Sequence, residues 1–79
     1  MRAKKVENYF MILNGFAYDP FIKDNIKYIR VTSTENNNLT AIHLYENLQL
    51  LSSSMPNMIN CYISDLIRNK GLIGGGFNA

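Results

Sequence analysis

The sequence has few of the residues that support covalent or metal chemistry. Its 79 residues include one Cys, one His, two Pro and no Trp. A single Cys cannot form an internal disulfide, which excludes a disulfide-stapled scaffold and favours a reducing, cytoplasmic compartment. The longest apolar run, Tyr9–Leu13, is five residues, far short of the ~20 of a membrane-spanning helix, and it does not read as a secretory signal. We therefore expect one small domain, residues 1–79, that acts away from membranes.

Charge is also scarce, because 18% of the residues are charged and the formal net charge is +2. A surplus this small argues against non-specific nucleic-acid binding driven by bulk electrostatics. From Val31 to Ile67 the chain has no Lys or Arg. Eleven Asn and nine Ile residues, both with AT-rich codons, suggest a low-GC genome such as that of a phage or plasmid.

Nothing in the sequence predicts an enzyme. His43 and Cys61 are the single residues of their kinds, and the pattern places them on the outer faces of two different predicted helices, whereas a nucleophilic pair must be in contact. A metal site needs three or four ligands in one place. The glycines Gly71 and 74–76 follow a predicted helix, whereas a phosphate loop follows a strand. We therefore expect no catalytic residue, cofactor or metal.

Strand signals dominate the first third of the chain. Val6–Leu13 is rich in aromatic and branched residues, and Asn14–Gly15 closes it with a turn signal. A tight hairpin there would let Phe16–Tyr18 pair back. Asp19–Pro20 ends that short strand in this interpretation.

The segment Asp19–Arg30 supports two interpretations. Asp19 and Pro20 form a good helix start, with apolar residues after them at helical spacing. The β-favouring residues towards its end indicate a strand instead. A short helix near Pro20–Asn25 that leads into a strand at Lys27–Ser33 satisfies most of both signals, and the choice stays open.

Two helices are predicted in the second half. Leu39–Leu51 and Pro56–Asn69 each carry an apolar stripe at helical spacing. Gly71 is placed as the C-terminal cap of the second helix, and residues 71–79 form a Gly-rich tail, either flexible or turned. The predicted fold class is α+β: a small single domain with an antiparallel two- or three-stranded sheet packed on two C-terminal α-helices.

The favoured function is that of a small non-enzymatic regulator or inhibitor that binds a larger protein. Aromatic residues and exposed apolar residues dominate protein interfaces, and this chain has more of them than a small core needs. An inhibitor of a host defence complex, encoded by a phage or plasmid, fits this profile. The predicted interface residues are Tyr18, Phe21, Leu50 and Cys61.

The alternative function is a small dimeric DNA-binding repressor. The run Leu66, Gly71, Leu72 and Ile73 resembles the end of the recognition helix in winged-helix proteins, and the segment from Asn60 to Arg68 is similar to the second helix of ribbon-helix-helix repressors. Both resemblances lie in less than half of the chain. Under this alternative the residues that contact nucleic acid are Lys23, Lys27, Arg30, Asn57, Asn60 and Arg68.

Overall fold

The computed structural model describes residues 9–78, which form a five-stranded antiparallel sheet followed by one α-helix. The order of the strands in the sheet is their order in the chain, so each strand pairs with the next. The helix α1, Ile59–Gly74, lies between two 3₁₀ turns, Pro56–Met58 and Gly75–Asn78. The strands are β1 (Met11–Leu13), β2 (Phe16–Lys23), β3 (Ile26–Ser33), β4 (Thr40–Leu44) and β5 (Leu50–Ser53).

Two tight turns build the first three strands. Asn14 and Gly15 join β1 to β2 with φ angles of 51° and 89°, and Asp24 and Asn25 join β2 to β3 with 55° and 67°. Positive φ at both central residues is the signature of type I′ turns, whose twist matches that of paired strands. The tight hairpin predicted at Asn14–Gly15 is confirmed.

The strand β2 runs through Pro20, so of the two interpretations of Asp19–Arg30 the strand is correct, and no helix forms at Pro20–Asn25. Proline is tolerated in a sheet only where its missing N–H costs no ladder bond. The Tyr18 carbonyl accepts from the Phe10 N–H on the β1 side, and residues two apart in a strand turn their polar groups the same way. Pro20 therefore turns its nitrogen towards the β1 side, beyond the end of β1, and its pairing with Ile29 of β3 is kept.

The predicted helix at Leu39–Leu51 is also wrong, because this segment forms β4, a turn and β5. Burial alternates along Thr40–Leu44 with a period of two, which is the period of a strand. Asn47 makes the turn, since its side-chain oxygen accepts from the Gln49 N–H at 3.0 Å, a local bond that competes with helix. Leu48 follows with a φ of 62°.

The second predicted helix has its counterpart in α1, although the limits differ. The segment begins as a 3₁₀ turn at Pro56, and α1 then continues through Gly71 to Gly74. Gly71 is therefore not a C-terminal cap. The predicted fold class is corrected accordingly: five strands and one α-helix replace a two- or three-stranded sheet on two helices.

The core lies between α1 and one face of the sheet. Tyr62, Leu66 and Ile73 of the helix pack against alternate residues of the central strands, and these residues are buried. The Tyr62 ring is central, at 5.2 Å from the ring centroid of Phe16 and 5.6 Å from that of His43. The sheet contributes Phe16, Tyr18, Ile29, Val31 and Ala41 to this core.

The two ends of the described chain meet the sheet. The Phe77 ring of the last 3₁₀ turn packs edge-on against Tyr45 at 4.9 Å, so residues 75–78 continue the packed structure after α1. At the other end, β1 covers only part of the predicted strand Val6–Leu13. Residues 9 and 10 form a bend before β1, and positions 6–8 lie outside the described residues. No helix within residues 9–78 is both long and apolar enough to cross a membrane.

Candidate functional site

Alternation along the strands leaves a second sheet face that α1 does not cover. We call this side the open face. Strand pairing places Phe21 opposite Tyr28, Asp19 opposite Arg30, and Arg30 opposite Ile42. Paired residues in an antiparallel sheet share a face. The open-face residues used below are Asp19, Phe21, Lys23, Tyr28, Arg30 and Ile42.

An aromatic and cationic cluster occupies the open face. The rings of Phe21 and Tyr28 stack with centroids 5.2 Å apart and planes inclined by 20°. The Arg30 guanidinium lies over the Phe21 ring, 4.8 Å from its centroid, which is within the range of a cation–π contact. Phe21, Tyr28 and Arg30 are all half-buried. We call these three side chains the Phe21 cluster.

Within this cluster, Arg30 also forms an ion pair with Asp19. One Arg30 guanidinium nitrogen lies 3.4 Å from one carboxylate oxygen of Asp19. Partial burial raises the pKa of the Asp19 carboxyl, and the charge of Arg30 opposes that rise. A partner that excluded water from this pair would strengthen its attraction, because electrostatic interactions grow as the local dielectric falls.

A shallow depression of about 610 Å³ adjoins the cluster. Its apolar lining comes from both rings of the cluster and from Ile22 and Ile42, and its charged lining, among the described residues, is Lys23 and Arg30. Aromatic, aliphatic and Arg side chains grouped around a concavity are typical of protein interface hot spots. This depression is therefore the candidate functional site.

The other end of the open face is occupied by the chain itself. The Tyr9 hydroxyl donates to the Thr32 hydroxyl at 3.2 Å. Thr32 and Ala17, which pair across β2 and β3, are fully buried although they point away from α1. The accessible part of the open face is consequently the half that carries the Phe21 cluster.

A second depression, of about 500 Å³, lies between the β2–β3 turn, the end of β4 and α1. Its lysines already have partners within the chain. Lys70 Nζ donates to the Glu46 carbonyl at 2.9 Å and lies over the Tyr45 ring, and Lys27 Nζ lies 5.2 Å from the Phe77 ring centroid. These contacts attach α1 and the last 3₁₀ turn to the sheet, so we assign this depression a structural role.

His43 belongs to the core and has no free ring nitrogen. Its Nδ1 donates to the Leu48 carbonyl at 3.0 Å, and its Nε2 accepts from the Tyr62 hydroxyl at 2.7 Å. The Leu48 carbonyl can only accept, so Nδ1 carries the proton of the neutral ring and Nε2 is the acceptor. Burial lowers the pKa of the imidazole, although the bond to Leu48 opposes that shift. Cys61 is exposed on α1.

Among residues 9–78, no three side chains of His, Cys, Asp or Glu come together. Asp65 is the most buried acidic side chain in that range, and its two oxygens accept from Asn14 and Arg68. Asp65 therefore ties the β1–β2 turn to α1 and is committed to structure.

The predicted interface residues are dispersed over the molecule. Phe21 lies in the cluster on the open face, whereas Tyr18 is 1% exposed and belongs to the core, so a partner cannot reach it. Leu50 is exposed on the edge strand β5, and Cys61 is exposed on α1. The prediction of Tyr18 depends on its aromatic character alone, and that character does not indicate which side of the sheet a strand residue faces.

The predicted nucleic-acid contacts are divided between two sides as well. Lys23 and Arg30 lie on the open face, but Lys27 pairs with Ile22 and so points to the helix side of the sheet. The remaining residues belong to the helical segment: Asn57, Asn60 and Arg68.

The helix pair on which the DNA-binding alternative depended is absent from the described chain, because its first helix is β4 and β5. Arg68 is also paired with Asp65. With the cations on both sides of the sheet, no single surface unites the predicted contacts.

Comparison of the chain with protein families, curated proteins and solved structures gives no match.

Sequence reasoning missed Tyr28 and Ile42, which complete the site. The signal that identifies them is the type I′ turn at Asp24–Asn25, because it fixes the register that sets Tyr28 opposite Phe21. Asn and Asp are the common non-glycine residues at positive φ. Once that hairpin is assigned, alternation from Phe21 gives the rest of the face.

Proposed function

We propose that this chain is a small non-enzymatic binding protein that occupies a surface of a larger protein through the open face of its sheet. The observation that carries the proposal is the Phe21 cluster, which lies half-buried beside Ile42 on the face without a helix. Tyr and Arg are enriched among the residues that dominate binding energy at interfaces, and aromatic rings cover much area at low entropic cost.

The chemistry of the rest of the chain is compatible with this role. The buried His and the buried Asp are both held by structural hydrogen bonds, so binding is the activity for which side chains remain. A regulator or inhibitor that works in a reducing, cytoplasmic compartment needs no more than such a face. The origin in a phage or plasmid is proposed from the Asn- and Ile-rich composition.

A capture experiment with matched variants tests the proposal. The tagged full chain is incubated with nuclease-treated lysate of its native source, and retained proteins are quantified by mass spectrometry. Ile42→Ala removes apolar surface from the depression, and Ile67→Ala removes it from the outer side of α1, where Ile67 is 60% exposed. We expect Ile42→Ala to lose the retained protein and Ile67→Ala to keep it.

Tyr28→Ala is a second open-face variant, and thermal melts verify that each variant is folded. Retention that is equal for Ile42→Ala, Tyr28→Ala and the unmodified chain would place the interface elsewhere. Capture of a second copy of the chain through the same face would instead identify a homodimer. In a parallel capture from untreated lysate, recovery of nucleic acid with no protein that survives nuclease treatment would contradict the proposal.

A further inference from the structure

The charge of the depression distinguishes between partners. The charged side chains among the described residues that line it are Lys23 and Arg30, both cationic. The ion pair with Asp19 joins a single guanidinium nitrogen to one oxygen at 3.4 Å. A guanidinium has five N–H donors, and its strongest pairing with a carboxylate is bidentate. Arg30 thus keeps donors that a second carboxylate can use.

The apolar part of the lining adjoins these cations. Phe21 and Tyr28 stack beside Arg30, and Ile42 pairs with Arg30 across β3 and β4. An occupant that pairs with these cations and also packs against the apolar lining must carry an anion next to a large apolar group. Charge complementarity of this kind sets the choice of partner and its orientation.

Single-stranded nucleic acid also combines anionic and flat apolar groups, but the geometry favours a protein segment. Base stacking requires accessible ring faces and a row of cations that follows the phosphates. The Phe21 ring is already in contact with Tyr28 and Arg30. Strand register turns Lys27 to the other side of the sheet, so the described cations that line the depression, Lys23 and Arg30, do not form a row that could follow several phosphates.

We propose that the depression on the open face binds an acidic protein segment in which an Asp or Glu is next to a large apolar residue. The carboxylate pairs with Lys23 and Arg30, and the apolar side chain packs against Tyr28 and Ile42. This inference rests on the proposed function, since it names the kind of partner that the open face accepts.

Selection from a library of random peptides displayed on phage tests the inference on the full chain. We expect enriched peptides to carry Asp or Glu adjacent to Phe, Leu, Ile or Trp. A synthetic peptide of the enriched sequence should bind about tenfold more weakly to Lys23→Glu, because a rim charge is reversed. Lys27→Glu is the matched control, since Lys27 lies on the same hairpin but faces the other side. A thermal melt verifies that this variant stays folded without the contact between Lys27 and Phe77, and its affinity for the peptide should be unchanged.

The outcomes separate this inference from the proposed function. Peptides that lack acidic residues, yet lose binding in Ile42→Ala, would overturn the acidic partner and leave the open face as the interface. Selection without any enriched sequence would also overturn the inference, and the lysate capture decides the proposed function separately. Tight binding of a thymidine 20-mer that Lys23→Glu abolishes would overturn both.

Discussion

At the scale of single residues, the fold depends on a buried hydrogen-bonded chain through His43. The Leu48 carbonyl accepts from Nδ1, which leaves Nε2 as the acceptor for the Tyr62 hydroxyl. The neutral imidazole thereby joins the β4–β5 turn to α1. The pKa of the Tyr62 hydroxyl is raised, mainly by burial, so the hydroxyl remains a donor to His43.

Tyr62→Phe and Tyr18→Phe should have different effects on the free energy of unfolding. Tyr62→Phe leaves the buried Nε2 of His43 without a donor, which should lower the free energy of unfolding by about 1–3 kcal/mol. The Tyr18 hydroxyl is buried without a hydrogen-bond partner among the described residues, and burial raises its pKa to about 12. Removal of that hydroxyl should be neutral or slightly stabilising.

Urea unfolding of the two variants beside the unmodified chain provides the measurement. Each substitution removes one hydroxyl from a buried ring, so the pair is matched in volume. Equal destabilisation by both would show that the bond from Tyr62 to His43 contributes no more than packing.

Stability should fall as the pH is lowered from 7.5 to 5.5. The imidazole of the unfolded chain takes up a proton near its ordinary pKa of about 6.5, whereas burial lowers the pKa of His43 in the folded chain. The unfolded state therefore binds more protons below about pH 6.5, and stability decreases by up to about 1.4 kcal/mol per pH unit. Stability stops decreasing at the pH where His43 of the folded chain is also protonated.

The urea midpoint, measured at intervals across this pH range, tests the dependence. The chain has a single His, so His43→Gln removes the only imidazole and should flatten the profile between pH 7.5 and 5.5. An unmodified chain whose midpoint did not change over that range would refute the buried, neutral assignment.

At the scale of elements, sequence reasoning predicts the first turn correctly but neither the turn at Asp24–Asn25 nor the state of the segment Leu39–Leu51. The hairpin at Asn14–Gly15 follows from turn chemistry and is confirmed. The segment Leu39–Leu51 was assigned to a helix because its apolar residues happen to recur at three- and four-residue intervals. Its β4 half alternates in burial instead, and pairing with β3 supplies bonds that no local pattern can reveal.

The same limit applies to the candidate site. Phe21 was identified from its aromatic character, but its partners Tyr28 and Ile42 come from two other strands. A one-residue change of register moves every side chain to the opposite face. Lys23 and Lys27 therefore lie on different sides of the sheet, although a helix would have put them on one face.

The glycines at the end of α1 are not equivalent, and two substitutions should separate them. At Gly71 the space for a Cβ atom is open among the described residues, so Gly71→Ala should stabilise the helix by about 0.5–1 kcal/mol. At Gly76 a Cβ would lie 2.5 Å from Pro20 Cγ and 3.0 Å from Phe10. Gly76→Ala should destabilise the protein by about 1–3 kcal/mol.

Thermal melts of both variants test whether the last 3₁₀ turn is packed. A Gly76→Ala variant as stable as the unmodified chain would mean that this turn does not rest against Pro20 in solution. Gly71→Ala serves as the control, because it adds the same methyl group where there is room.

At the scale of the whole molecule, a single helix can cover only one face of a five-stranded sheet. The helix side buries the aromatic core, and Tyr9 covers one end of the other face. The remaining half of the open face carries an ion pair, a stacked pair of rings and an adjoining depression. The central claim is that a protein partner covers this half.

Site-specific photocrosslinking tests that claim most directly. Tyr28 on the open face, or Leu72 on α1, is replaced by the photoreactive p-benzoylphenylalanine; Leu72 is 62% exposed and serves as the control. On irradiation in nuclease-treated native lysate, we expect one dominant protein adduct from position 28 and none from position 72. Adducts from position 72 alone, or no protein adduct from position 28, would contradict the account.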